Sequence, residues 1–316
     1  MASTLSFEQF SQIYSSEQTC CASLYSAKWP NGYRCPRCSH HIASTIHTRR
    51  LPLYECQACR YQASLICGTV MEGSRTPLPK WFQALFLISS EGTGINAVKL
   101  AKIIKVTYKT AWLILHKLRG AMSAYDQRQL LEGIIHVNTA KYGKPHNPTI
   151  FRHPQEHPIL GGAAINMRGD IQYMKLKQIA DHFLSNAHVL PAGVEYFKQE
   201  HVAPQPADFI CYTGRRPGFL FQPLIAHCKR ACRWLNDTFC GIGAKHLQAY
   251  LNEYCFRVNH LIQNKSPFEG LFHSCIATKV TTYRALVQKS PQSAAIATRP
   301  MTVASALKLF CKQRFA

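Results

Sequence analysis

The chain has 316 residues, 47% of them hydrophobic, which is enough for a sizeable core and for about two domains. Its charge is far from balanced: 37 Lys and Arg stand against 16 Asp and Glu, a formal net of +21, and such an excess attracts polyanions, nucleic acid above all. No run of about 18 apolar residues calls for a membrane span, and the start "MASTLSFEQFSQIYSSEQ" carries two acids and no cation, unlike a secretory signal. A cytoplasmic, nucleoid-associated protein is expected.

Residues 1–30 read as a helical lead-in, with Phe7, Phe10, Ile13 and Tyr14 on one face. Residues 31–70 are short, turn-rich and cysteine-bearing. Here "CPRC" at 35–38 and "CQAC" at 56–59 make a pair of C-x-x-C knuckles with 17 residues between them. Two residues between thiolates let one turn aim both sulfurs at a single ion, and two knuckles complete a tetrahedral site, so Cys35, Cys38, Cys56 and Cys59 are expected to hold structural zinc. The alternative is a redox pair or two unrelated pairs. Zinc would supply the folding free energy that so small a segment lacks. Lys28, Arg34, Arg37, Arg49, Arg50 and Arg60 surround the knuckles and suit phosphate contact, Arg34 and Arg37 foremost; a solvated basic face is the plainer reading.

Residues 78–124 are helical in pattern. Within them "GINAVKLAKIIKVTYKTAWLILHKLRGAM" at 94–122 reads as a helix-turn-helix: a short amphipathic helix, the tight connection "KVT", and a second helix capped by Thr107. That second helix buries Ala111, Trp112, Leu115 and Leu118, which leaves Tyr108, Lys109 and Thr110 outside the core, where a recognition helix meets base edges. Lys117 is a further candidate for phosphate contact. An ordinary helical hairpin is the rival.

From 131 the pattern turns to strands at 133–139, 157–168 and 169–179. A helix is expected at 179–186 and loop at 200–218, where Pro and Gly are frequent. Residues 244–260 are helical in spacing. Residues 288–316 read as a tail.

The order of "KWPNGYRCPRC", "ECQACRYQASLICGTV", "TPLPKWFQALFLIS", the helix-turn-helix, "RWLNDTFCGIGAKHLQAYLNEYCFRVNH" and "TTYRALV" resembles the zinc-ribbon insertion-sequence transposases of the ISXO-like group over residues 7–287. The resemblance implies an α+β multidomain chain: zinc ribbon, helix-turn-helix, then an RNase H-like mixed α/β domain at 131–287. It also implies DNA, in particular element terminal repeats, as partner, with a homo-oligomer as an option. The family's reaction is metal-dependent DNA strand cleavage and transfer by three metal-ligating side chains of a DDE site, with magnesium on carboxylates.

The carry-over fails at those side chains. The family's first-strand Asp-Glu-Thr-Tyr aligns with Asn138, Thr139, Ala140 and Lys141. The second acid aligns with Pro191 in "LPAGVEYF", the third falls at or near Arg230, and the family's following Lys is Cys232. Asn adds no negative charge, Pro no ligand, and Arg repels the ion, so a catalytically inactive DNA-binding protein is expected. Rivals are an active transposase using displaced acids, Glu195 first and then Asp170, Asp181 or Asp208, and a non-enzymatic transcriptional regulator. A further rival is a platform for another protein chain.

Overall fold

The computed structural model describes residues 5–90, 94–143, 153, 155–185, 188–214 and 219–287. The expected tail at 288–316 lies outside them. The lead-in is two helices, α1 (Phe7–Ile13) and α2 (Glu17–Lys28). Ser6 starts α1 with a reciprocal capping box, in which its Oγ accepts from Gln9 N and the Gln9 side chain accepts from Ser6 N. The cysteine segment follows as a three-stranded antiparallel sheet of β1 (Ala43–Ile46), β2 (Leu53–Cys56) and β3 (Gln62–Ser64).

Three helices come next: α3 (Leu78–Ser89), α4 (Ala97–Ile104) and α5 (Tyr108–Arg128). The cysteine-bearing sheet is too small to bury a core of its own, and it shares one with these helices. Phe10, Leu24, Trp29, Tyr54, Leu65, Trp81, Phe82, Leu100 and Leu118 belong to a single buried cluster. Lys28 is drawn into it: its Nζ donates to the carbonyls of Leu65 at 2.9 Å and Cys67 at 2.5 Å, closing the turns after β3.

The second sheet has the order β6-β5-β4-β9, built from β4 (Ile134–Tyr142), β5 (His157–Ile165), β6 (Ile171–Gln178) and, further along the chain, β9 (Asp208–Tyr212). β4, β5 and β6 pair antiparallel, while β9 lies parallel to β4 with Asn138 opposite Tyr212. Between β6 and β9 run a 3-10 turn at Asp181–Phe183, the two-residue strands β7 (Leu184–Ser185) and β8 (His188–Val189), and helix α6 (Pro191–His201). This corrects two expectations. No helix spans 179–186, because only one turn of 3-10 geometry forms before the chain enters the β7–β8 pair. The stretch 200–218 is not all loop, because "DFICY" becomes a strand once β4 offers it an edge.

Helices α7 (Gln222–Phe239) and α8 (Ala244–Ile262) cover one face of this sheet, burying Leu224, Leu235, Leu247 and Leu251 against Ile159, Ala163, Met174 and Leu176. α6 covers the other face, with Phe197 against Val137, Leu160 and Leu131. The glycines of β5 allow both approaches. A Cβ at Gly162 would lie 2.7 Å from the Phe197 ring, and one at Gly161 would lie 3.2 Å from Cys228 Sγ on α7.

Helix α9 (Pro267–Ala277) contributes Leu271, Phe272 and Cys275 to the first core rather than to the sheet. Buried ion pairs join the parts: Arg119 Nε of α5 meets Glu253 Oε2 of α8 at 2.6 Å, and Asp126 at the end of α5 accepts from both Lys175 and Lys177 of β6. Residues 1–281 therefore form one compact unit, and α10 (Tyr283–Val287) belongs to a second.

Candidate metal centre and nucleic-acid interface

The four cysteines meet as their spacing requires. All four Sγ atoms lie within 4.8 Å of one another, with Cys35 to Cys59 at 3.7 Å and Cys38 to Cys56 at 3.6 Å. A tetrahedral zinc with bonds of about 2.3 Å sets its sulfurs ~3.8 Å apart, so the residues present fit the ion.

Each C-x-x-C is a turn of the same design. Ser39 N donates to Cys35 O and Arg60 N to Cys56 O, and both residues sit in the left-handed region at φ 61° and 56°. The strand returns are matched too, Cys35 N to His40 O and Cys56 N to Tyr61 O. Burial raises the Cys35 thiol, but the backbone amides of Cys38 and Arg37 outweigh it and hold the group down at about 6, the direction a metal-binding thiolate needs.

Structure sorts the cations around this centre. Arg34 and Arg37 are exposed beside the first knuckle, and Arg34 keeps a 3.4 Å bond to Ser39 O. Arg50 pairs with Glu17, and Arg60 with Glu55 at 3.1 Å. Lys28 is spent on backbone carbonyls and leaves the set of phosphate candidates.

Helices α4 and α5 are joined by three residues, with Lys105 left-handed at φ 54° to end α4. Thr107 Oγ1 caps α5 by accepting from Thr110 N at 3.2 Å. Leu100, Ile104, Ala111 and Leu115 face the core, whereas Val98, Lys99, Lys102, Ile103, Thr107, Tyr108 and Lys109 are exposed; Tyr108 is 57% exposed, large for an aromatic residue. Thr110 is half-buried. Lys117 corrects an expectation. It is buried, its ammonium lies over the Trp81 ring and 3.5 Å from Glu72 O, and burial pushes its pKa down, so it is not offered to a phosphate.

The residues singled out in the second half do not converge. Asn138 is 2% exposed in the middle of β4, and both ends of its amide are engaged: Nδ2 donates to Tyr212 O at 3.3 Å and Oδ1 accepts from Phe221 N at 3.0 Å. Beside it, Thr139 Oγ1 donates to Thr213 O at 3.2 Å. The element next to Asn138 is thus β9, and the residue opposite it is Tyr212, not Pro191, which is the first residue of α6 on the far face. β9 was missed because its five residues stand between Pro-rich and Gly-rich flanks; the alternation in "DFICY" was the available signal.

Arg230 is displaced as well. Phe221 abuts Asn138, and Arg230 stands nine residues further along α7, about 13 Å by helical rise. The displaced acids do not substitute. Glu195 is exposed on α6 and accepts from Gln199 one turn on; Asp170 accepts from Asn166 in the β5–β6 turn; Asp181 starts the 3-10 turn; Asp208 begins β9, at the end remote from Asn138. Lys141 forms a 3.0 Å ion pair with Glu156 at this edge. Among the described residues the four cysteines are the only group of three or more His, Cys, Asp or Glu whose ligand atoms lie together. The donors around Asn138 do not fit magnesium, which takes carboxylate oxygens.

Comparison with known proteins agrees with the N-terminal geometry. Residues 15–62 match the family model of the transposase zinc-ribbon domain, a segment that includes all four cysteines. A protein described as an uncharacterized protein in transposable element ISH50, from Halobacterium salinarum, is 29% identical over 128 residues, 40% of this chain and 42% of that protein. The chain therefore aligns with less than half the length of the curated relative it matches. No solved structure matches. No described helix is long and apolar enough to cross a membrane.

Proposed function

We propose that this chain is a transposase-derived DNA-binding protein that holds its target without cutting it. The four-sulfur centre inside the matched zinc-ribbon segment carries the reading, since it links the strongest family signal to a geometry that fits zinc. The exposed, Thr107-capped start of α5 supports a helix-turn-helix in which Thr107, Tyr108, Lys109 and Thr110 meet base edges, with Arg34 and Arg37 on phosphates.

The sheet order, with β9 parallel to β4 on one side and the antiparallel strands β5 and β6 on the other, supports an RNase H-like domain of transposase type. Asn138 opposite Tyr212, with no cluster of acids among the described residues, supports loss of DDE chemistry. The element's terminal repeats are the duplex this reading favours.

The test is a binding and nicking assay on the DNA flanking the gene, with magnesium or manganese. Salt-sensitive binding without nicking is expected. Metal-dependent cleavage by the wild type would refute the proposal. Asn138→Asp combined with Tyr212→Asp is the pair expected to bring carboxylates together, because the two residues are opposite each other in the β4–β9 register, whereas Asn138→Asp with Pro191→Asp leaves them on different faces of the sheet.

A further inference from the structure

Helix α7 carries His227, Lys229, Arg230 and Arg233, with its single acid, Asp237, in the last turn. Lys229, Arg230 and Arg233 fall at i, i+1 and i+4, and all three are exposed, as is Ala226 one turn earlier. Many cations elsewhere are consumed by the fold. Lys28, Lys117, Arg119, Lys175, Lys177, Lys141, Arg50 and Arg60 each meet a carboxylate or a carbonyl, several of them fully buried. None of Lys229, Arg230 and Arg233 has an ion pair or side-chain hydrogen bond among the described residues. The chain leaves a cationic stripe unneutralised here while it matches cations closely inside.

The position of the stripe gives this meaning. Asn96, the residue that caps α4, donates through Nδ2 to Thr238 O in the last turn of α7 at 3.0 Å. Trp112 and His116 of α5 meet His246 of α8 just past the α7–α8 turn. The end of α7 therefore adjoins the α4–α5 pair, and Arg233 and Arg230 stand about 8 and 12 Å from Thr238 along the helix. That is a span of roughly two to three backbone phosphates of one strand. Arg230, which the family resemblance placed at a metal ligand, is instead a member of this stripe.

We propose that Lys229, Arg230 and Arg233 form a phosphate-binding strip that extends the DNA surface of the α4–α5 pair along α7. The strip takes the backbone of duplex DNA without reading its sequence. This rests on the DNA-binding reading given above and adds a contact to it.

The test compares the full zinc-loaded chain with the Lys229→Ala, Arg230→Ala, Arg233→Ala triple variant on the gene-flanking duplex across a salt series. Three lost phosphate contacts lower the magnitude of the log–log salt slope by about 2.7, so that between 50 and 200 mM salt the variant loses some fortyfold less affinity than the wild type. A charge-keeping control, Lys229→Arg, Arg230→Lys, Arg233→Lys, should retain the wild-type slope, which separates charge from folding. An unchanged slope in the alanine variant, with zinc content and circular dichroism intact, overturns the strip but leaves DNA binding standing. A wild type that binds no DNA overturns both. A variant that loses preference for the flanking duplex over an unrelated one, at unchanged slope, overturns the sequence-blind assignment.

Discussion

Two histidines, one buried and one half-buried, show how the residue scale sets the response to acid. His116, 3% exposed, packs against Trp112 and His246; burial first, then Arg119 and His246, pulls its pKa down to about 3. His201, at the end of α6, is drawn to about 3 by burial and then by Lys177 and Lys175. Both are neutral in the folded chain, while the unfolded chain protonates them near the ordinary value of about 6.5. The unfolded state thus binds more protons between those values. Stability conferred by each histidine is full above pH ~6.5 and falls as pH drops toward ~3, by up to about 1.4 kcal/mol per unit per group. Urea midpoints measured at pH 7 and pH 5 should differ accordingly, and His201→Gln should flatten the profile; identical profiles would mean that His201 carries its charge inside the fold.

Among the elements, the cysteine-bearing sheet depends most on something other than its own packing. Its three strands have three or four residues each, and the turns that present the sulfurs place non-glycine residues, Ser39 and Arg60, in left-handed backbone that zinc coordination offsets. Cys56→Ser should reduce bound zinc from one per chain to none, and chelation should melt this sheet while β4, β5 and β6 persist. A colorimetric zinc assay with hydrogen exchange resolved by segment reads both, and retention of one tightly held zinc in Cys56→Ser would contradict the four-sulfur site.

The knuckles and the α5 cap were legible in the sequence because each is local: spacing alone aims the sulfurs, and Thr107 acts three residues ahead. β9 and the partner of Asn138 were not. A five-residue strand has too little period to announce itself, and its pairing to β4 spans more than seventy residues of chain. Lys117 misled for a related reason, since a lysine at helical spacing looks alike on either face until Trp81 and Glu72 are placed.

Across the whole molecule, α5 is the shared element. Its first turn is exposed, its middle meets α8 through Arg119 and Glu253, and its last turn holds Asp126 against two lysines of β6. Breaking the first pair by Glu253→Gln leaves a buried guanidinium uncompensated and should cost about 3–5 kcal/mol, while Arg119→Met with Glu253→Leu together should cost much less. Chemical denaturation of the single and double variants measures this; a single variant as stable as the wild type would show that the pair does not hold α5 to α8.

The sequence by itself determined the zinc centre, the strongly basic character and the absence of acids at the first-strand position, because composition and short spacing are properties of a local chain. Only the tertiary structure decided which cations remain exposed, that Tyr212 rather than Pro191 adjoins Asn138, and that Arg230 belongs to an outer stripe of α7. Those depend on which distant segments pair across a sheet or pack face to face, and hydrogen-bond registry and burial settle that only once the chain has closed on itself.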